Sequence, residues 1–438
     1  MPLRLNSADR DFPERFQAFL GTKREVSEDV DAAVREIIAR VRADGDAALI
    51  EFTRRFDRLD LTTIGIRIDN DEITAAAKAA EATDRTTYAA LELARDRIAS
   101  HHRRQLPQDD RYTDATGTGL GHRWTALESV GLYVPGGTAS YPSSVLMNAV
   151  PAQVAGVPRI AMVVPSPDGR LNPLVLVAAK LAGVEEIYRI GGAQAVAALA
   201  YGTPTVAAVA KIVGPGNAWV AAAKRQVFGT VGIDSIAGPS EILIIADADN
   251  DPEWLAADLL AQAEHDAAAQ SILMTDDADL ADAVAQAVER QLATLPRTTI
   301  AAASWAAYGA IIILGSLDDE APALADRLAA EHVEIATRDP EGLAGKIRNA
   351  GAIFLGAMTP EVIGDYVGGS NHVLPTARTA RFSSGLGVTD FMKRTSLLRL
   401  DRRALETLGP AAMTLARAES LEAHRRSVAI RLSPEKPE

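Results

Sequence analysis

From Val130 onward the chain repeats one local pattern, and that pattern restricts the fold more than any other feature. Short apolar runs at Gly131–Val134, Ile160–Val164, Ile187–Ile190, Lys211–Val213, Ile242–Ala246, Ser271–Thr275 and Ala310–Leu314 alternate with helical stretches. Several of the runs end in Gly-Gly or Gly-Pro-Gly ahead of an Ala-rich segment. Strand, glycine turn and helix in repetition predict parallel sheets of doubly wound type, because a parallel strand needs a crossover to bring the chain back. With 438 residues, two such sheets fit better than one. No repeat with a period of roughly 20–50 residues and no low-complexity tract competes with this reading.

The flanks read as helix. Phe12, Phe16, Phe19 and Leu20 form the stripe of a short amphipathic helix, to be packed either on its own domain or on a partner subunit. Ser27 caps a second helix whose apolar face is Val30, Val34, Ile37, Ile38 and Val41, ending near Gly45. After Gly387 the chain reverts to helix, with Arg402–Arg417 as its core, and it finishes in a frayed Pro- and Glu-containing tail.

Composition narrows the function. Hydrophobic residues make up 47% of the chain, enough for a large core, while 45 basic against 58 acidic residues give a net charge of −13. A field of that sign repels polyanions, so nucleic acid and anionic membrane surfaces are excluded as partners. Cysteine is absent, which removes disulfides, thiolate ligands and a cysteine nucleophile and points to a reducing cytoplasm. Any metal must then be held by His, Asp, Glu, Gln or Asn. Asp9 and Asp11 stand where a signal peptide would need an apolar run. The charge-free stretches Ile190–Ala210 and Thr298–Leu317 carry turn formers and read as buried pieces, not membrane spans.

The polar residues that could carry chemistry are individually ambiguous. His101 and His102 sit in a basic run and read as solvated, and His122 has no acidic neighbour. His372 suits a buried hydrogen bond as well as catalysis. Gln262 and His265 are three apart in a helix read over Leu259–Asp266, so they share a face and make a workable half of a zinc site. A helical Gln-x-x-His is nonetheless commonplace. Glu331 and His332 follow a helix read over Pro322–Ala330; the two face one cavity only if that helix ends there, and then they form a plausible acid/base pair. Asp365 lies among turn formers, where a capping role is the default. His424, five residues after Glu419, reads as a solvated helix face. Gly191-Gly192-Ala193-Gln194 and Gly214-Pro215-Gly216-Asn217 each follow a strand and open a helix, which suits a phosphate. Neither completes G-x-G-x-x-G, so that fingerprint does not establish a dinucleotide.

Together these features resemble the histidinol dehydrogenase family in order and wording. The matching stretches are VGLYVPGGTASYPSSVLMNAVPA, RIGGAQAVAALAYGT, KIVGPGNAWVAAAKRQVFG, AGPSEILIIAD, LLAQAEHD, AAEHVEI, IGDYVGGSNHVLPT and AESLEAHRRSVAIRL, spanning Val130 to Leu432. The resemblance implies zinc, one per subunit, held by Gln262, His265, Asp365 and His424. It implies NAD contacts at Tyr133, Gln194 and Asn217. Substrate contacts would fall at Ser240, Gln262, His265, Glu331, His332, Asp365, Glu419 and His424. The one departure noted is AAEHVEI, where the family more often reads P-E-H-L-E; Glu331 and His332 are unaffected.

The implied architecture is two Rossmann-like doubly wound parallel-sheet domains within an intertwined homodimer. An N-terminal helical arm would cover 1–25. The zinc and substrate domain would take 26–132 plus 241–386, and the NAD-side domain 133–240. A C-terminal helical extension, 387–438, would reach the partner subunit and bring Glu419 and His424 into its site. The implied activity is oxidation of L-histidinol to L-histidine with two NAD⁺, the last steps of L-histidine biosynthesis, with His332 as general base and Glu331 activating water. Two other readings stay open at this point. A related zinc dehydrogenase would act on another hydroxy compound, such as a sulfonated diol, and a zinc hydrolase would use the same ligands with Glu331 on water.

Overall fold

The computed structural model describes residues 2–22, 28–136 and 141–433. The expected cap Ser27, residues 137–140 of the GGTAS run and the terminal tail lie outside these. The chain divides into two units, Met1–Gln105 with Glu128–Phe391, and Leu106–Leu127 with Met392–Glu438. Strands are numbered β1 to β14 along the described residues.

The first unit is built on two parallel sheets. One has the order β6 (Glu186–Tyr188), β5 (Ile160–Val163), β4 (Val130–Tyr133), β7 (Lys211–Val213) and β8 (Gly232–Ile233). The other has β1 (Leu3–Asn6), β11 (Ala310–Ile313), β10 (Gln270–Thr275), β9 (Glu241–Ala246), β12 (His332–Ala336) and β13 (Ala352–Leu355). Setting β1 aside, both sheets start at a central strand, build outward to one side and then return to the other, the open doubly wound order expected of this pattern. In β9, Leu243 and Ile245 enter one apolar core while Ile242, Ile244 and Ala246 enter the core on the opposite face. This two-residue alternation with both faces buried is why the strand reads as a continuous apolar run.

Several expected boundaries move. The helix Glu28–Asp44 buries Val34, Ile37, Ile38 and Val41 in the core of the five-stranded sheet, together with Leu49 and Phe52 of the next helix, Asp46–Asp57. Residues in the 26–132 segment thus pack with β4–β7, not with the six-stranded sheet as the expected division placed them. The Ala-rich helices Gly192–Tyr201 and Ala218–Val227 offer small side chains there, against which an aliphatic stripe packs closely. The N-terminal arm opens with a strand, β1, parallel to β11. Its Phe12, Phe16 and Phe19 are buried on the chain's own six-stranded sheet, with Phe12 and Phe16 stacked at 5.6 Å. The stripe is therefore spent within the subunit and offers nothing to a partner.

The second unit contains an antiparallel sheet in the order β14 (Met392–Arg399), β3 (Gly119–Ala126) and β2 (Asp110–Thr113), in register from Met392↔Ala126 to Arg399↔Gly119. The segment after 387 is thus a strand before it is helix. Lys393, Arg394 and Thr395 leave no apolar alternation to read, because this strand is held by its backbone ladder and not by a buried face. The helices Arg402–Ala418 and Glu422–Leu432 follow and pack on one another. Among the described residues, no helix is long and apolar enough to cross a membrane.

Candidate active site

The five-stranded sheet presents its carboxyl edge at the point where its strand order reverses. Tyr133 ends β4 there, Gly191 caps the helix after β6, and Gly214 follows β7. Ligands of doubly wound sheets collect at such an edge. A cavity of about 320 Å³ occupies it, lined by Tyr133, Gln194 and Asn217 among others. The Tyr133 hydroxyl accepts a hydrogen bond from the Gly192 N–H at 3.0 Å, and burial pushes its pKa up to about 12. Asn217 caps the helix Ala218–Val227 through its side-chain oxygen, bonded to the N–H groups of Trp219 and Val220. Gly214 has φ +110°, and a Cβ there would lie 2.2 Å from the Tyr133 carbonyl oxygen, so only glycine lets the two strand ends approach. A buried ion pair between Lys224 and Asp234 clamps both peptide groups of this glycine: Lys224 donates to its carbonyl, and Asp234 accepts from its N–H.

A second cavity, about 270 Å³, is lined by Ser240, His265, Glu331, His332, Asp365, His372 and, again, Asn217. Its polar residues come from the opposite kind of edge. His332 begins β12 and Glu241 begins the neighbouring β9, so the six-stranded sheet contributes its amino edge. Asn217 is common to both cavities, so they adjoin.

The Glu331-His332 pair reaches this cavity because the preceding helix, Leu317–Leu328, ends in a left-handed Ala329, φ 45°. That is two residues earlier than the reading over Pro322–Ala330, and the break lets adjacent side chains face one site. His332 Nδ1 lies 3.1 Å from the Glu241 carbonyl oxygen and 3.2 Å from Glu361 Oε1, while the buried Nε2 has no hydrogen-bond partner. Burial, reinforced by the nearby imidazoles of His265 and His372, holds the His332 pKa down to about 3. The ring is neutral, its Nδ1 proton is claimed by acceptors, and Nε2 is left with a free lone pair. Glu331 Oε2 accepts from the Glu241 N–H at 3.1 Å, and burial raises its pKa well above the usual carboxylate range. Asp365 is likewise raised by burial, to about 7.

Gln262 is on the last turn of the helix Pro252–Ala263, and His265 is on the turn after it. The helix stops short of Asp266, earlier than read, and the His265 N–H closes a tighter turn on the Gln262 carbonyl at 3.2 Å, a geometry in which residues three apart stay on one side. The helix packs against Glu361–Tyr366, the helix carrying Asp365. The Gln262 carboxamide is fully buried, and neither its oxygen nor its nitrogen has a hydrogen-bond partner. Leaving such a group unpaired costs about 1–3 kcal/mol, so its donor oxygen fits a metal ion that would satisfy it. Among the described residues, His332, Glu361 and Asp365 bring their donor atoms within 4.8 Å of one another. Glu419 and His424 lie in the second unit and are exposed there.

One residue of the site went unread in the sequence. Glu361 is buried against His332, and its only sequence signal is its position four residues before Asp365, on the same helical face. His372 uses Nδ1 on the Asp365 carbonyl oxygen at 2.9 Å and Nε2 on Ser144 Oγ at 3.3 Å, the buried hydrogen-bonding role kept open for it. His102, read as solvated, is fully buried, with Nδ1 2.7 Å from the Ile98 carbonyl oxygen.

Comparison with known proteins agrees with this arrangement. The model of the family described as histidinol dehydrogenase matches residues 21–432. The histidinol dehydrogenase of Brucella suis biovar 1 (strain 1330) is 69% identical over 429 residues, covering 98% of this chain and 99% of the relative. That of Mesorhizobium japonicum is 67% identical over 433 residues, covering 99% of this chain and all of the relative (100%). The crystal structure of histidinol dehydrogenase from Elizabethkingia anophelis superposes with a TM-score of 0.93 at 36% identity, covering 98% of each chain. With two doubly wound sheets meeting at a shared cleft and this likeness running from end to end, the chain belongs to the histidinol dehydrogenase family.

Proposed function

We propose that this NAD-dependent oxidoreductase converts L-histidinol to L-histidine through L-histidinaldehyde, the last steps of L-histidine biosynthesis, with zinc at the site and two NAD⁺ taking up the four electrons. The observation that carries the reading is the meeting of the two cavities at Asn217: one holds a neutral imidazole with a free Nε2, the other opens at the carboxyl edge of a doubly wound sheet. Gln262, His265, Asp365 and His424 are assigned to the zinc, one per subunit. The ion would supply a fixed anchor for the substrate's imidazole and amino nitrogens. Ser240, Glu331, His332 and Glu419 complete the substrate contacts, and Tyr133, Gln194 and Asn217 hold the dinucleotide that accepts hydride.

In the first oxidation His332 takes the carbinol proton at Nε2, its Nδ1 side being held by Glu241 and Glu361. The aldehyde then needs water, because no cysteine is present to trap it covalently. Glu331 takes a proton from that water as it adds to the carbonyl; its burial makes it a stronger base than an exposed glutamate. The resulting diol gives up its own proton to His332 in the second oxidation. The functional assembly is a homodimer in which Glu419 and His424 complete the partner subunit's site, in a cytoplasmic enzyme.

The test is appearance of NADH absorbance when the protein is given L-histidinol and NAD⁺, with and without a chelator. Turnover that stops on metal removal and returns with zinc is expected, the fold staying intact by circular dichroism. A hydrolase would produce no NADH, a diol-specific relative would ignore histidinol, and full activity in metal-free protein would remove zinc from the reading.

A further inference from the structure

Asp57 ends the helix Asp46–Asp57 and lines the first cavity, together with Phe56, Ile37, Gln194 and Gly192. It is the charged side chain among the described residues lining that cavity; none of the others is Lys, Arg, Asp or Glu. Its Oδ2 is buried and has no hydrogen-bond partner, and burial pushes its pKa up, so a hydroxyl donor would relieve it. Asp57 does not line the second cavity. With the reacting nicotinamide next to His332 in the second cavity, the adenosine end of the dinucleotide is left to the first cavity, which Asp57 lines. The helix starting at Gly192 lines the same cavity and offers its N-terminus to the pyrophosphate.

The adjacent cation is already taken. Arg58 donates to both carboxylate oxygens of Asp168, at 2.6 and 2.5 Å, next to the cavity-lining Pro167. This wall therefore holds two carboxylates against one guanidinium, a setting that welcomes a hydroxyl and repels a phosphate. In other doubly wound dehydrogenases an acidic residue makes the same distinction at the ribose 2′-oxygen.

We propose that Asp57 accepts a hydrogen bond from the 2′-hydroxyl of the adenosine ribose and thereby selects NAD⁺ over NADP⁺, an inference that rests on reading the first cavity as the dinucleotide site. The experiment measures binding to the full-length protein by calorimetry, with NAD⁺, its adenosine-2′-deoxy analogue and NADP⁺ as probes. In the wild type the deoxy analogue should bind about 10- to 100-fold more weakly than NAD⁺, the range for a hydrogen bond to a charged group. Asp57→Ala should close that gap, and Asp57→Asn, which keeps the shape and removes the charge, should tighten NADP⁺ binding at least about tenfold relative to NAD⁺. Equal binding of NAD⁺ and the deoxy analogue by the wild type, or a gap that survives in Asp57→Ala, overturns the proposal. Failure of the wild type to bind NAD⁺ at all overturns the reading of the cavity itself, and so separates the two.

Discussion

His332 and Glu331 are neighbours in the chain, yet their surroundings give them different work. The Nδ1 of His332 is engaged and its Nε2 is free, so this residue is placed to take a proton in each hydride transfer. In the proposed reaction Glu331, oriented by the Glu241 N–H, acts where water enters. Glu331→Gln should therefore slow aldehyde oxidation far more than alcohol oxidation, while His332→Asn should slow both by about 10²–10⁴-fold. Single-turnover measurements starting from histidinol and from histidinaldehyde check this, and equal losses in both steps for both variants would show the roles to be misassigned. Glu361 adds a second prediction. Its Oε1 is 3.2 Å from His332 Nδ1, where it helps hold the ring in the orientation that leaves Nε2 free, while burial and the neighbouring carboxylates raise its own pKa well above the usual range. Glu361→Gln, whose amide can present an N–H to Nδ1 and turn the ring, should lower kcat in both half-reactions and leave zinc content unchanged. Loss of zinc in that variant would make Glu361 a ligand instead, as its closeness to Asp365 also permits.

Among the elements, what could be read from sequence follows from what each buries. β4, β5, β7, β9, β10 and β11 were legible because both faces are covered and the run is apolar throughout. β12 was not: of its five residues His332 and Glu334 are polar yet buried, and a pattern of that kind reads as surface. β1, β2 and β14 carry polar residues on their open faces and are defined by backbone pairing, which leaves little trace in composition. Ser240, His265, Glu331, His332 and Asp365, which line one cavity, were legible through family wording, whereas Glu361 was not, because only tertiary packing brings its helix to His332. β12 also carries a pH prediction. Glu334 is buried beneath the helix Pro252–Ala263, where it hydrogen-bonds Asp258; burial first, then the Asp258 charge, raise its pKa to about 9. A carboxyl whose folded pKa is raised stabilises the fold fully below its unfolded value, 4.5, and that contribution is lost as pH rises toward 9. Wild-type stability should thus fall from pH 5 to pH 9, Glu334 contributing a slope that approaches about 1.4 kcal/mol per pH unit. Glu334→Gln should flatten the fall. Denaturant titrations at pH 6, 7.5 and 9 measure it, and identical slopes in the two proteins would mean that Glu334 is ionised in the folded state.

At the scale of the whole molecule the open question is which chain completes which site. Gln262, His265 and Asp365 belong to the first unit, while Glu419 and His424 belong to the second and are exposed within the single chain. Exposed residues do not anchor a zinc or a substrate until something buries them. The N-terminal Phe stripe cannot serve as dimer contact, since its own sheet covers it. The second unit does present apolar surface: Leu415 is 64% exposed, Leu421 40% and Ile430 58%. Large aliphatic side chains left open on the helices that flank Glu419 and His424 are what an interface would cover. The proposed homodimer makes this the surface that delivers both residues to the neighbouring subunit. Gln262→Ala and His424→Ala, each inactive alone, should then complement one another when dissociated together and allowed to reassociate. A mixed dimer would join the intact body of one chain to the intact arm of the other at one site and gather both lesions at the second. Random reassociation makes half the dimers mixed, each with one working site of two, so activity should return to about a quarter of the wild-type level. If each chain instead supplies its own His424, every site in every mixed dimer keeps one lesion, and no activity appears even with mixed dimers confirmed by differential tagging. That result would rule out the shared site while leaving the chemistry assigned to Glu331 and His332 untouched.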